Sequence, residues 1–187
     1  MCLVIMERFQ YGCKLRNAIR MAIIKTLSGK VVTRGGLPSC TCCNYATELE
    51  IKYDWGGTGM YDLDTNTTAF GEQVGYNCGD SGLYVRWLPG SSGPKDDQSQ
   101  NGFERINVRV DAARTAGLWT TSYNIECYAG WFSPRHGSGY CQLIITYKGV
   151  TVTQTISPGT QNGCASTPVA LITVYSTDQG NGAYFET

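Results

Sequence analysis

The chain has a single His, His136, and that scarcity removes whole classes of chemistry. Multi-His metal centres and His-paired nucleophiles have almost no raw material here. His136 lies in Ser133-Pro134-Arg135-His136-Gly137-Ser138-Gly139, which reads as an ordinary surface loop, and no catalytic residue is assigned. No apolar run approaches the roughly 20 residues needed to cross a bilayer as a helix, so no membrane insertion is expected. Net charge is lacking too. Fifteen Lys and Arg face fifteen Asp and Glu, which argues against a general nucleic-acid partner. What is abundant is Gly, Tyr and Cys, in a chain long enough for one domain with its own core plus an extension.

The zero total conceals two opposite halves. Residues 1–36 hold Arg8, Lys14, Arg16, Arg20, Lys25, Lys30 and Arg34 against Glu7 alone, a charge of +6, so the remaining 151 residues carry −6. Such a split points to a basic arm and an acidic body with different tasks. Leu3–Met6 is too short for the apolar core of a secretory signal. Two readings of residues 1–20 stand: upstream sequence ahead of a start at Met21, or an amphipathic helix that docks on a partner. Ile23–Val32 reads as two short strands around Ser28-Gly29-Lys30. The division expected is a basic arm at 1–36, a Cys-rich linker at 37–46, and a β domain at 47–187.

From residue 47 the hydrophobic period is two. Leu49, Ile51, Tyr53 and Trp55 alternate with Glu48, Glu50, Lys52 and Asp54. Similar runs lie at 61–70, 73–76, 83–88, 106–110, 123–131, 143–147, 150–156 and 169–175, and Lys148-Gly149 makes the clearest hairpin. Only Val110–Leu118 has helical residues. Short strands at this spacing, separated by Gly, Pro and Asn turns, predict an all-β fold: an antiparallel β-sandwich of about seven or eight strands with an N-terminal extension.

Seven Cys belong to the linker and body: Cys40, Cys42, Cys43, Cys78, Cys127, Cys141 and Cys164. C-x-C-C with scattered single partners is poor spacing for zinc. Disulfides fit better, with buried free thiols as the alternative. The expected links run from the Cys40–Cys43 cluster to a later strand, and from Cys78 to Cys127 or Cys141. Disulfides would place maturation outside a reducing cytosol.

Two residue sets could carry a ligand. Asp62 and Asp64 lie two apart, so both carboxylates project from one face of a strand. Asp96, Asp97 and Glu104 follow on a polar loop able to return to the same edge. Oxygen-rich sets on sandwich loops suit calcium, which takes six to eight hard oxygen ligands. The alternative is that these are solvated turn residues and that no cofactor is bound. The second set is aromatic: Trp55, Trp87, Trp119, Trp131 and Tyr140 offer flat surface for a sugar ring or a subunit interface, against the alternative of a plain core.

Leu49-x-Ile51 leading to Trp55, Asp62-Leu63-Asp64, Phe70-Gly71-Glu72-x-Val74-Gly75-Tyr76 and the Gly-rich turn to Leu83-Tyr84-Val85 together resemble a known pattern. It is that of the D-L-D-L β-sandwich domains, similar to bacterial pre-peptidase C-terminal domains. Asp96-Asp97 and Gly102-Phe103-Glu104 occupy the places of that pattern's later acidic residues, and the likeness covers roughly residues 47–158. Thr65 and Asn66 depart from it where the family has Leu and His. The resemblance implies a non-catalytic accessory domain for adhesion, carbohydrate contact or interface formation. The whole chain also resembles, in architecture, a small virion structural protein of a tailed phage, either a tail fibre or a capsid decoration protein. On that reading residues 1–36 bind other virion proteins, the sandwich faces outward toward a host-surface glycan, and the chain forms a homo-oligomer, expected as a trimer. The alternative is a secreted or cell-surface carbohydrate-binding module.

Overall fold

The computed structural model describes residues 24–25, 31–32, 48–132, 139–160, 164, 167–176 and 183–186. Most of the basic arm, the Cys40–Cys43 cluster and His136 lie outside the described residues. Two short strands, β1 (Ile24–Lys25) and β2 (Val31–Val32), pair antiparallel as the Ser28-Gly29-Lys30 turn predicts.

The body is a β-sandwich. One sheet has the order β10-β9-β3-β7-β6, from β3 (Leu49–Asp54), β6 (Val85–Leu88), β7 (Phe103–Val108), β9 (Cys141–Tyr147) and β10 (Val150–Ile156). The other has the order β13-β12-β8-β4-β5, from β4 (Leu63–Ala69), β5 (Glu72–Gly75), β8 (Ser122–Trp131), β12 (Ala170–Ser176) and β13 (Ala183–Glu186). A two-residue strand, β11 (Gly159–Thr160), runs parallel beside the end of β8. The single helix among the described residues, α1 (Val110–Thr115), falls where helical residues are expected, and Trp119 Nε1 donates to the Val110 carbonyl at 3.0 Å to fasten it.

Alternation decides which face meets the core. Leu49, Ile51 and Tyr53 on β3, Leu143, Ile145 and Tyr147 on β9, Ile125 and Trp131 on β8, and Ile172 and Val174 on β12 are all sealed from water. Each large apolar side chain buried this way contributes about 1.5–3 kcal/mol. The hairpins follow from turn chemistry. Lys148 and Gly149 both have positive φ (48° and 79°), as do Phe70 and Gly71 (54° and 78°), which is the requirement of a two-residue turn matching strand twist. Phe70 tolerates that backbone because its N–H donates to the Tyr123 hydroxyl (2.7 Å) and its ring packs 4.3 Å from the Tyr123 ring centre.

Two devices build the β5–β6 edge, one within a sheet and one between the sheets. Gly75 sits at φ 135°, and a Cβ there would lie 2.1 Å from the Thr65 carbonyl oxygen, so only glycine lets the end of β5 lie against β4. Glu72 then accepts the N–H groups of Leu83 (2.7 Å), Tyr84 (2.8 Å) and Val85 (2.9 Å), tying β5 of one sheet to the start of β6 in the other. Glu72→Gln keeps the shape and removes the charge from these bonds. We expect it to cost about 2 kcal/mol, read from the urea midpoint at unchanged slope.

The cysteine expectations need correcting. Cys78 bonds to Cys164 across 86 residues, not to Cys127 or Cys141. Cys127 and Cys141 are buried free thiols, because the alternation of β8 and β9 turns both inward between the sheets. Burial, with the Asp54 charge beside Cys141, pushes both thiols up to about 12. At pH 8 the thiolate fraction is then about one in ten thousand. Iodoacetamide at pH 8 should therefore alkylate neither in the folded chain and both in guanidinium, counted by peptide mass; rapid native labelling would contradict this placement.

Candidate metal centre

The structure gathers three of the five acidic residues singled out by the sequence. One carboxylate oxygen from each of Asp62, Asp64 and Asp96 lies within 4.8 Å of the others. Asp62 reaches the cluster from a left-handed backbone, φ 57°, a conformation Asp tolerates better than most residues. Its carbonyl accepts the N–H of Phe132 at 3.1 Å, which starts the β4–β8 ladder. Asp64 follows two residues on, within β4 and opposite Gly130. Both are buried, and Asp96 is half-buried.

Asp96 is delivered by its neighbour. The adjacent Asp97 is fully buried, and its carboxylate accepts the hydroxyl of Ser91, the N–H and hydroxyl of Ser92 (3.0 and 2.9 Å), and the N–H and hydroxyl of Ser99 (3.0 Å for the N–H). Burial alone would raise the Asp97 carboxyl, but the bonds from Ser91, Ser99 and Ser92 hold it well below the usual carboxylate range. This knot fixes loop 89–102 and needs Gly90, where a Cβ would lie 2.6 Å from the Phe103 carbonyl oxygen and 2.7 Å from Asp97 Cβ. Glu104, the fifth residue, faces the core from β7. It accepts the Thr65 hydroxyl and the Asp97 N–H (3.0 Å). Burial pushes its carboxyl well up; these bonds oppose the shift, and the charges of Asp96 and Asp64 add to it. Asp97 and Glu104 thus hold the frame around the cluster.

The donor set suits a hard cation. Two ligands of one calcium ion, each at about 2.3–2.6 Å, are separated by no more than about 5 Å, a limit the three carboxylates meet. Asp96 adds a specific sign: its Oδ1 is buried and accepts no hydrogen bond, while Oδ2 accepts Gln98 Nε2 at 3.0 Å. A buried carboxylate oxygen without a donor is unusual unless something positive faces it. Asp62, Asp64 and Asp96 would hold the ion, with water filling the rest of its shell. Tyr76, which the sequence reading did not single out for this site, stands beside it. Burial and then the charges of Asp64, Asp96 and Asp62 raise its phenol. Its place straight after Gly75, at the end of β5, was the available signal.

Comparison with protein-family models, with curated proteins and with solved structures finds no match. The site's own chemistry therefore carries the functional reading.

The aromatic set does not form a platform. Trp55 and Trp131 are fully buried, Trp119 is 5% exposed and Trp87 7%. Three lie at inward positions of strands or just beyond one, and Trp119 plugs the gap under α1. Tyr140 alone of the five is exposed, at 56%. The sequence fails here because Trp is equally suited to a core and to a sugar-binding face.

Proposed function

We propose that this chain is a non-catalytic structural module of a virion, a tail-fibre or capsid decoration protein, stapled by a disulfide and stiffened by a calcium ion. The observation that carries the reading is the Cys78–Cys164 bond between loops of the body. Such a link persists where thiols are not kept reduced, as on a particle or outside a cell. The acidic cluster fits the same setting, since sites of extracellular modules work at about 0.1–1 mM calcium. The +6 charge of residues 1–36 supports an arm that attaches the −6 body to other virion proteins. Burial of the four Trp withdraws the main support for a sugar-binding module.

Incorporation tests the proposal. The full chain and a variant lacking residues 1–36 are each co-produced with the proteins encoded beside this one, and assembled particles are purified by density. The full chain should band with the particles and the shortened chain should not. Banding of both, or of neither, would overturn the proposal.

A further inference from the structure

Among the described residues, strand β10 is a seven-residue edge that the fold leaves open; the outer strand of the other sheet, β13, is an edge of only four residues. On the far side of the β10 sheet, β6 is shielded by its own preceding loop: Gly82 N–H donates to the Val85 carbonyl at 2.7 Å and Trp87 N–H to the Asp80 carbonyl at 3.2 Å. In the other sheet Gly75 of β5 donates to the Gly79 carbonyl at 2.9 Å, and β12 is covered by β13. β10 pairs with β9 through seven consecutive residues without a bulge, and among the described residues nothing pairs with its other side. Exposed edges are normally blunted by charge, Pro or a bulge. Val150-Thr151-Val152-Thr153-Gln154-Thr155-Ile156 has none of them.

The strand's two faces are sharply divided. Thr151, Thr153 and Thr155 are exposed, while Gln154 and Ile156 are buried and Val150 and Val152 are half-buried against the core. Gln154 is only 9% exposed, yet its Oε1 is buried and accepts no hydrogen bond. A buried amide oxygen without a donor asks for a partner.

We propose that β10 pairs antiparallel with β10 of a second copy of this chain, about a two-fold axis at Gln154, so that the two five-stranded sheets become one. Chemistry selects the register. With Gln154 opposite its own counterpart, each carboxamide turns from its buried position toward the two-fold axis, and each Nε2 donates to the other's Oε1. Val152 then faces Ile156 of the second copy, and Thr153 faces Thr155. Thr hydroxyls already pair this way inside the sheet, between Thr146 and Thr151 at 3.0 Å. A one-residue slip would set outward side chains against inward ones. A two-residue slip would put Gln154 opposite Val152 or Ile156 and leave the amide oxygen bare. Because each copy gives the same surface, the contact closes with two chains, and a three-fold ring cannot be built from it alone.

Sedimentation velocity on the full chain at tens of micromolar tests this. The wild type should run as an even multiple of 20.4 kDa. Thr153→Lys with Thr155→Lys, both on the exposed face, would set four ammonium groups across the seam. We expect that variant to weaken the dimer at least a hundredfold while melting at the wild-type temperature. Should the variant fail to fold, amide exchange on the wild type decides: β10 amides should be protected when concentrated and exchange faster on dilution. A wild type that is monomeric or strictly trimeric, a folded double-Lys variant that remains dimeric, or concentration-independent exchange would each overturn the proposal. Protected β10 amides in a monomer would assign the edge to this chain's own N-terminal residues instead.

Discussion

Cys78→Ala with Cys164→Ala is expected to destabilise the body by about 4–5 kcal/mol, from the loop-closure entropy of a link across 86 residues. The bond joins the loop after β5 to the loop before β12, strands separated in their sheet by β4 and β8. In the unfolded chain it forbids most separations of those two points; in the folded chain the ladders already hold them together. The expected fall in melting temperature is about 10–15 °C for a chain of this size. Urea unfolding of the wild type and the double variant, each with and without reductant, isolates the effect. The double variant should lose stability already without reductant. A difference below about 1 kcal/mol between the oxidised wild type and the variant would show that the link constrains little.

Calcium should raise the melting temperature, and Asp96→Asn should abolish the rise. Folding assembles the three carboxylates from a loop and a strand more than thirty residues apart, so the unfolded chain has no equivalent site. An ion bound to the folded state alone stabilises it by about 4 kcal/mol at a thousandfold excess over its dissociation constant, or about 8–15 °C here. Asp96→Asn suits the test because Oδ1 accepts no hydrogen bond and Oδ2 keeps a neighbour in Gln98. A calcium-dependent rise that persisted in Asp96→Asn would move the site elsewhere.

Much of the fold was legible wherever side chains alternate. The turn and β10 of the β9–β10 hairpin could be read to the residue because Lys148-Gly149 interrupts two runs of period two, while β9 begins at Cys141, two residues before the expected Leu143. Strands β11 and β13 were not legible: one is two residues long, and the other is only Ala183–Glu186, too short to show a period. The candidate site was legible in part for a similar reason. Asp62 and Asp64 were expected on one face of a strand, but Asp62 precedes β4 and reaches the cluster through a left-handed backbone, while Asp96 and Asp97 are adjacent on a loop. Composition does not say that Asp97 turns into a knot of serines while Asp96 reaches β4. The disulfide was hidden because pairing depends on which thiols the strands bury, and alternation on β8 and β9 had already claimed Cys127 and Cys141. Thr65 illustrates the gap between pattern and packing. Where the resembled family has Leu, this inward hydroxyl instead donates to the buried Glu104 across the sandwich.

Isothermal titration of calcium into the full, oxidised chain, with Asp96→Asn alongside, tests the central claim most directly. The account predicts one ion per chain for the wild type, displaced by chelator, and no binding heat for the variant. A wild type that takes up no calcium at millimolar concentration, or a variant that titrates like it, would contradict the account.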